Sequence, residues 1–163
     1  MSITFLLREY ADYDLWANTR FVQRLAVEPD AVLDAPVRSS FPSLRSTLLH
    51  IRDAEHVWRC RLTGERHSWP AEPSLDPATL VDHASRLHGL VSGMDEADLL
   101  SLRTYRDLKG NEHRSAAWRM LMHCYNHSTQ HRGQLITMMR GLGLDGIPAN
   151  DLIVYQRSLK DSV

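Results

Sequence analysis

The stretch His123 to Gln134, HCYNHSTQHRGQ, carries histidines at positions 123, 127 and 131 inside a helical pattern. Residues four apart on an α-helix are stacked neighbours, roughly 5–6 Å apart at Cβ. The surrounding sequence predicts a long helix from Ser115 to Leu142, stopped by Gly141 and Gly143. Its apolar face reads Ala117, Leu121, Cys124, Leu135, Met138, Met139 and Leu142, with Met120 and Met122 as further core filler. Each step of four drifts by about 40° around the axis. His131 therefore falls between Cys124 and Met138 on the core side, and His127 at its edge. His123 lies further out, with Gln130 and Gln134.

Three more amphipathic helices precede this one. The first spans residues 3–27, with Leu6, Tyr10, Tyr13, Ala17, Phe21 and Leu25 as its stripe, and Glu28-Pro29-Asp30 ends it. The second starts at Ser43, a suitable N-cap, runs through Leu44, Leu48, Ile51, Trp58 and Leu62, and stops at Gly64. The third begins at Asp76-Pro77 and carries Leu80, Ala84, Leu87, Val91 and Met94. Residues 101–116 alternate around Lys109-Gly110-Asn111, which predicts a short β-hairpin, and a last short helix is expected over 148–159. The expected fold is all-α: an antiparallel four-helix bundle, with some connections long enough to cross over, a short C-terminal helix and a small hairpin before the fourth long helix. Residues 1–163 read as a single domain.

Composition narrows the function classes. Of the 163 residues, 19 are Lys or Arg and 20 are Asp or Glu, giving a net charge of −1. That leaves no basic excess for nucleic-acid binding. No apolar run is long enough to cross a membrane, and the opening MSITFLLREYADYD lacks the basic segment of a secretory leader. Cys60 and Cys124 form no disulfide framework, so a reducing, cytoplasmic setting is expected. There is no Gly-rich phosphate loop and no G-x-S-x-G, so nucleotide and serine chemistry have no support.

The chemistry-bearing candidates are therefore the histidines. An i, i+4 pair of imidazoles can reach one cation, and His50, on the margin of the second helix's stripe, is the third ligand expected. A three-His site leaves room for water or substrate, as catalytic rather than structural metals do. Glu55 is the candidate to orient an imidazole or to act as a base, ahead of Asp14, and Asp53 is expected to be a solvated ion-pair partner. Gln134 is a candidate partner of a ligand imidazole. Gly133 is expected to permit close helix approach, and Cys124 to be a buried small hydrophobe. His56, His67, His83, His88 and His113 have no convergent partner in sequence and read as surface residues.

At these residues the chain resembles the DinB-like family of metal-binding four-helix bundles. The matching pieces are YDLWANTRFV, LLHIRDAEHVWRCRL, HCYNHSTQHRGQLITMMRGLG and DLIVYQR, with H-x-x-x-H-R-G-Q the most specific. The resemblance implies a divalent metal (zinc, nickel or iron) held by His50, His127 and His131, the three that the helical wheel also selects. It implies a homodimer, and for some members transfer or isomerisation reactions that use a low-molecular-weight thiol such as bacillithiol or mycothiol. One departure is that Gln130 stands where many relatives have a second histidine beside the last ligand. The leading expectation is a metal-dependent thiol transferase acting on a small-molecule substrate. A metal-dependent hydrolase and a non-catalytic, metal-stabilised stress-response protein are the alternatives.

Overall fold

The computed structural model of the chain describes residues 2–159; Met1 and residues 160–163 of the expected domain lie outside it. Nine elements follow one another: α1 (Ile3–Leu25), α2 (Asp30–Leu33), α3 (Leu44–Thr63), α4 (Thr79–Gly93), α5 (Glu96–Leu100), β1 (Leu102–Arg106), β2 (Glu112–Ala116), α6 (Ala117–Gly141) and α7 (Leu152–Ser158). Local chemistry sets most boundaries. Ser43 and Ser46 form a reciprocal capping box that opens α3, and Gly64, at φ 77°, closes it in the left-handed region. The hairpin pairs Leu102 with Ala116 and Arg106 with Glu112. That pairing delays α6 by two residues relative to expectation, because Ser115 and Ala116 are still in the strand. α4 starts at Thr79 rather than at Pro77: the Asp76 carboxylate accepts the Ala78 amide at 2.9 Å and caps a preceding turn. α7 is shorter than expected, starting at Leu152, and the Asn150 side chain ahead of it accepts from Arg132.

Four long helices form the bundle. α3 and α6 run antiparallel, since Thr47 meets Met138 at one end and Trp58 meets His123 at the other. α1 and α4 are also antiparallel: Arg8 reaches the Met94 carbonyl, and Asp12 pairs with His88 one helical stretch back. α3 and α4 run side by side in the same direction, with Arg52 at Thr79 and His56 at His83. The long connection over residues 64–78 makes that crossover possible. The apolar core fills the two halves of the bundle, around Leu87, Leu121 and Tyr125 in one and around Phe21, Leu48 and Leu135 in the other. Among the described residues no helix is long and apolar enough to cross a membrane.

The first helix corrects its predicted stripe. Tyr13, Ala17, Phe21 and Leu25 of that stripe are buried, but Leu6 is 52% exposed, and a further buried row runs Leu7, Ala11, Asp14, Asn18, Phe21, Leu25. A reading that follows apolar residues alone misses this row because its middle is polar. Met122, taken as core filler, is likewise exposed.

That polar middle is a hydrogen-bonded layer between the two halves. The Arg132 guanidinium donates to Asp14 at 2.6 Å, to Asn18 at 2.7 Å and to Asn150 at 2.8 Å. Asn18 and Ser128 donate to Oε1 of Glu55 at 2.8 and 3.0 Å. Burial, and then the facing Asp14 carboxylate, push the Glu55 carboxyl up, while Asp14 and Arg132 form the ion pair. Removing one partner of such a pair strands a buried charge. Arg132→Ala is expected to cost about 3–5 kcal/mol in urea unfolding. A loss under about 1 kcal/mol would show that Asp14 finds another partner or takes up a proton at little cost.

Candidate metal centre

His50 projects from α3, and His127 and His131 from successive turns of α6. Because α3 and α6 are antiparallel neighbours, the three rings meet. Nε2 of His127 lies 3.1 Å from Nε2 of His50 and 3.1 Å from Nε2 of His131. Among the described residues this is the group of three or more His, Cys, Asp or Glu whose ligand atoms all fall within 4.8 Å of one another. Imidazole nitrogens bound at 2.0–2.1 Å to one tetrahedral cation stand roughly 3.3 Å apart. The observed spacing fits that donor set.

The protonation chemistry fits as well. Nδ1 of His131 donates to Oε1 of Gln134 at 2.8 Å, while the Gln134 amide donates to Ser40 at 2.7 Å. This fixes the ring orientation and turns Nε2 toward the other two rings. Burial, with His131 next in weight, lowers His50 to about 4. Burial and the neighbouring imidazoles lower His127 to about 3. Both rings are thus neutral near pH 7, as metal ligands must be. Nδ1 of His127 is buried with no partner, so hydrogen bonds among the three rings do not satisfy this group.

Aromatic side chains wall the site. Phe41 stacks on His50 with ring centroids 4.1 Å apart and meets His131 edge-on at 5.5 Å. Trp69 meets His50 edge-on at 5.7 Å and is itself 47% exposed. Ser40, Phe41 and Trp69 lie in connections, and no spacing rule in the sequence pointed to them. Gln134, three residues after His131, was readable from helical spacing.

The remaining candidates fall elsewhere. Glu55 bonds to Asn18 and Ser128 rather than to an imidazole. Asp14 belongs to the same layer through Arg132. Asp53 is buried, not solvated: it accepts from Arg52 at 2.8 Å and from the Ala71 amide at 3.0 Å, tying down the 64–78 connection. His123 is exposed and packs on Trp58. Cys124 is fully buried, as expected. His67 and His113 are exposed, but His83 is not: it is 3% exposed and packs between α3 and α4 against the half-buried His56. Its place three residues after Leu80 and four before Leu87 is a core position. Nothing lies within 4 Å of a Cβ built at Gly133, so close packing does not explain that glycine.

Comparison with known proteins places the chain in a family. The family model described as the DinB family matches residues 1–158. The chain belongs to the DinB family. It is similar to Protein DinB of Bacillus subtilis (strain 168), 23% identical over 150 residues that cover 85% of this chain and 87% of that one. It also resembles the crystal structure of a DinB-like protein from Bacillus cereus ATCC 10987, at 22% identity and a TM-score of 0.60, covering 82% of this chain and 90% of the other. That likeness supports the fold.

Two outcomes follow from the imidazole geometry. An unfolded chain protonates its histidines near pH 6.5, whereas folded His50 and His127 wait until about 4 and about 3. Between those values the unfolded state binds more protons, so stability of the metal-free protein falls as pH drops from about 6.5 toward about 4. Melting temperatures across that window are expected to decline, with a shallower slope in His127→Gln; a flat profile for the parent would contradict the burial of these rings. Gln134→Ala is expected to weaken metal binding by about 10–100-fold without changing its stoichiometry, read by calorimetric titration.

Proposed function

We propose that this protein is a divalent-metal enzyme of the thiol-transferase type, using zinc, nickel or iron at His50, His127 and His131. The observation that carries the reading is the meeting of these Nε2 atoms at 3.1 Å from two helices far apart in sequence. A cation bound there supplies Lewis acidity, drawing a thiol's sulfur and lowering its pKa.

The chain's own residues prepare that chemistry. Imidazole ligands bring no negative charge to a ligand set, so the charge of a divalent ion would stay available to attract an anion such as a thiolate. Gln134 holds His131 in the ligating tautomer without adding charge. Phe41 and Trp69 supply an apolar wall beside His50, which keeps water from one side of the site and suits an organic substrate. The low-molecular-weight thiol cosubstrate is inferred from the family resemblance, as is action as a homodimer. The two free cysteines favour a reducing, cytoplasmic setting.

The test pairs metal analysis with turnover. Protein purified without a histidine tag is expected to carry divalent metal, and His131→Ala to carry one equivalent less. Turnover with a panel of small thiols and an electrophile is expected to fall by at least about a hundredfold in that variant, the scale of lost Lewis-acid assistance. Equal metal content in the two proteins would overturn the site. A chelator-induced drop in melting temperature with no turnover across the panel would instead assign the ion a stapling role between α3 and α6.

A further inference from the structure

Of the arginines on α3, one stands apart. Arg45, Arg52 and Arg59 each pair with a carboxylate, from Asp34, Asp53 and Glu65 respectively. Among the described residues no ion pair or hydrogen bond joins Arg61 to another group, and its Nε is buried without an acceptor. The guanidinium lies over two rings, its carbon 4.5 Å from the Trp58 centroid and 5.1 Å from the Tyr105 centroid. Such contacts satisfy the faces of a guanidinium, but its N–H donors lie in its plane and remain to be met. Asp107, whose charge reaches it, is engaged elsewhere: it accepts the Lys109 and Asn111 amides, each at 2.9 Å, and lies 3.0 Å from Nε2 of His113. Burial lowers the pKa of Arg61, as befits a cation short of counter-charge.

A strip of rings connects Arg61 to the triad. Trp58 meets His123 edge-on with centroids 4.9 Å apart, and His123 lies 6.1 Å from the triad ring of His127. His123 is exposed, and His127, Trp58 and Tyr105 are half-buried, so the strip is open to solvent along its length. Phe41 packs on His50 and His131, whereas the strip leaves the triad from His127. From His50 to Trp58 the rise along α3 is about 12 Å. We propose that Arg61 is the anion-binding residue for a substrate of the triad: an organic molecule with its reacting end at the metal, its body along His123 and Trp58, and a carboxylate in the plane of the guanidinium. The reacting end rests on the metal-enzyme reading above; the carboxylate subsite rests on Arg61 and its rings. A guanidinium held flat by stacking is pre-organised for a bidentate acceptor, and a carboxylate matches its fork. The rings keep water from the faces of the cation, which strengthens the pairing. The site therefore selects molecules with a negative charge about 12 Å from the reacting atom over neutral ones of the same shape.

Two measurements test this separately. The covered Nε–H of Arg61 exchanges slowly with water and gives a side-chain NMR resonance, identified by its loss in Arg61→Lys. In the chelator-treated full chain, naphthoate is expected to shift that resonance, and its neutral amide, naphthamide, to leave it in place. No shift with naphthoate, or an equal shift with naphthamide, overturns the proposal. In the zinc-loaded chain, mercaptooctanoate is long enough to reach from metal to guanidinium. It is expected to bind at least about tenfold tighter than its amide, read by calorimetric titration. Arg61→Gln is expected to erase that preference and Arg61→Lys to keep part of it, with zinc content unchanged in both. Mercaptopropionate, too short to reach, is expected to show no such preference over its amide. An equal preference in mercaptopropionate, or one that survives Arg61→Gln, overturns the proposal. A zinc-loaded chain that binds none of these thiols would count against the proposed enzyme, and the naphthoate shift would then decide the subsite by itself.

Discussion

The register between α3 and α6 is the constraint on which the molecule's chemistry depends. One turn of sliding, about 5.4 Å, would part His50 from both α6 histidines. Apolar packing alone resists such a slip weakly, because one leucine fits roughly where another did. The polar layer resists it more sharply. Ser128, next to His127 in the chain, is bonded to Glu55, which lies on the same helix as His50. Arg132, next to His131, is held by Asp14, Asn18 and Asn150. Each α6 ligand thus has an immediate neighbour locked by directional bonds to another part of the bundle, and a slip would leave those groups unsatisfied in the core.

The connections complete the site that the helices begin. Phe41 comes from the segment before α3 and Trp69 from the crossover between α3 and α4. The crossover is held by Arg52, which donates to the Ser74 carbonyl at 2.6 Å, and by Asp53, which accepts the Ala71 amide. Both residues sit on α3 within three positions of His50, so the helix that supplies a ligand also anchors the loop that walls it. This arrangement follows from topology: parallel neighbours need a long return path, and here that path brings Trp69 against His50.

Much of this was legible in the sequence, and the misses share one cause. Amphipathic spacing located the four long helices, and capping chemistry located the ends of α3 to the residue. The triad was readable because a helix converts spacing into direction, and His131 and His127 fell toward the core by that rule. The errors came where polar residues occupy core positions. Asp14 and Asn18 hid a second buried row of α1, so Leu6 was read as buried in place of Leu7; His83 and Asp53 were assigned to solvent for the same reason. Burying a polar group requires a partner, and those partners are remote in sequence: Asp14 pairs with Arg132, and Asp53 binds Ala71 across the crossover. Ser40, Phe41 and Trp69 were missed because their approach to the triad depends on loop paths, which carry no period.

Glu55 shows how the same layer limits the chemistry available at the triad. From sequence it was the carboxylate expected to orient an imidazole or to serve as a base. In the fold it lies wholly buried, bonded to Asn18 and Ser128 and facing Asp14, and two carboxylates beside a single guanidinium cannot both ionise cheaply. The ion pair goes to Asp14, and Glu55 is held as a hydrogen-bonding cross-link to Asn18 and Ser128, away from the imidazoles. The contact made to a triad imidazole by another polar side chain is the neutral Gln134 amide. Among the described residues, then, a neutral amide rather than this carboxylate sets the ring orientation of a triad imidazole.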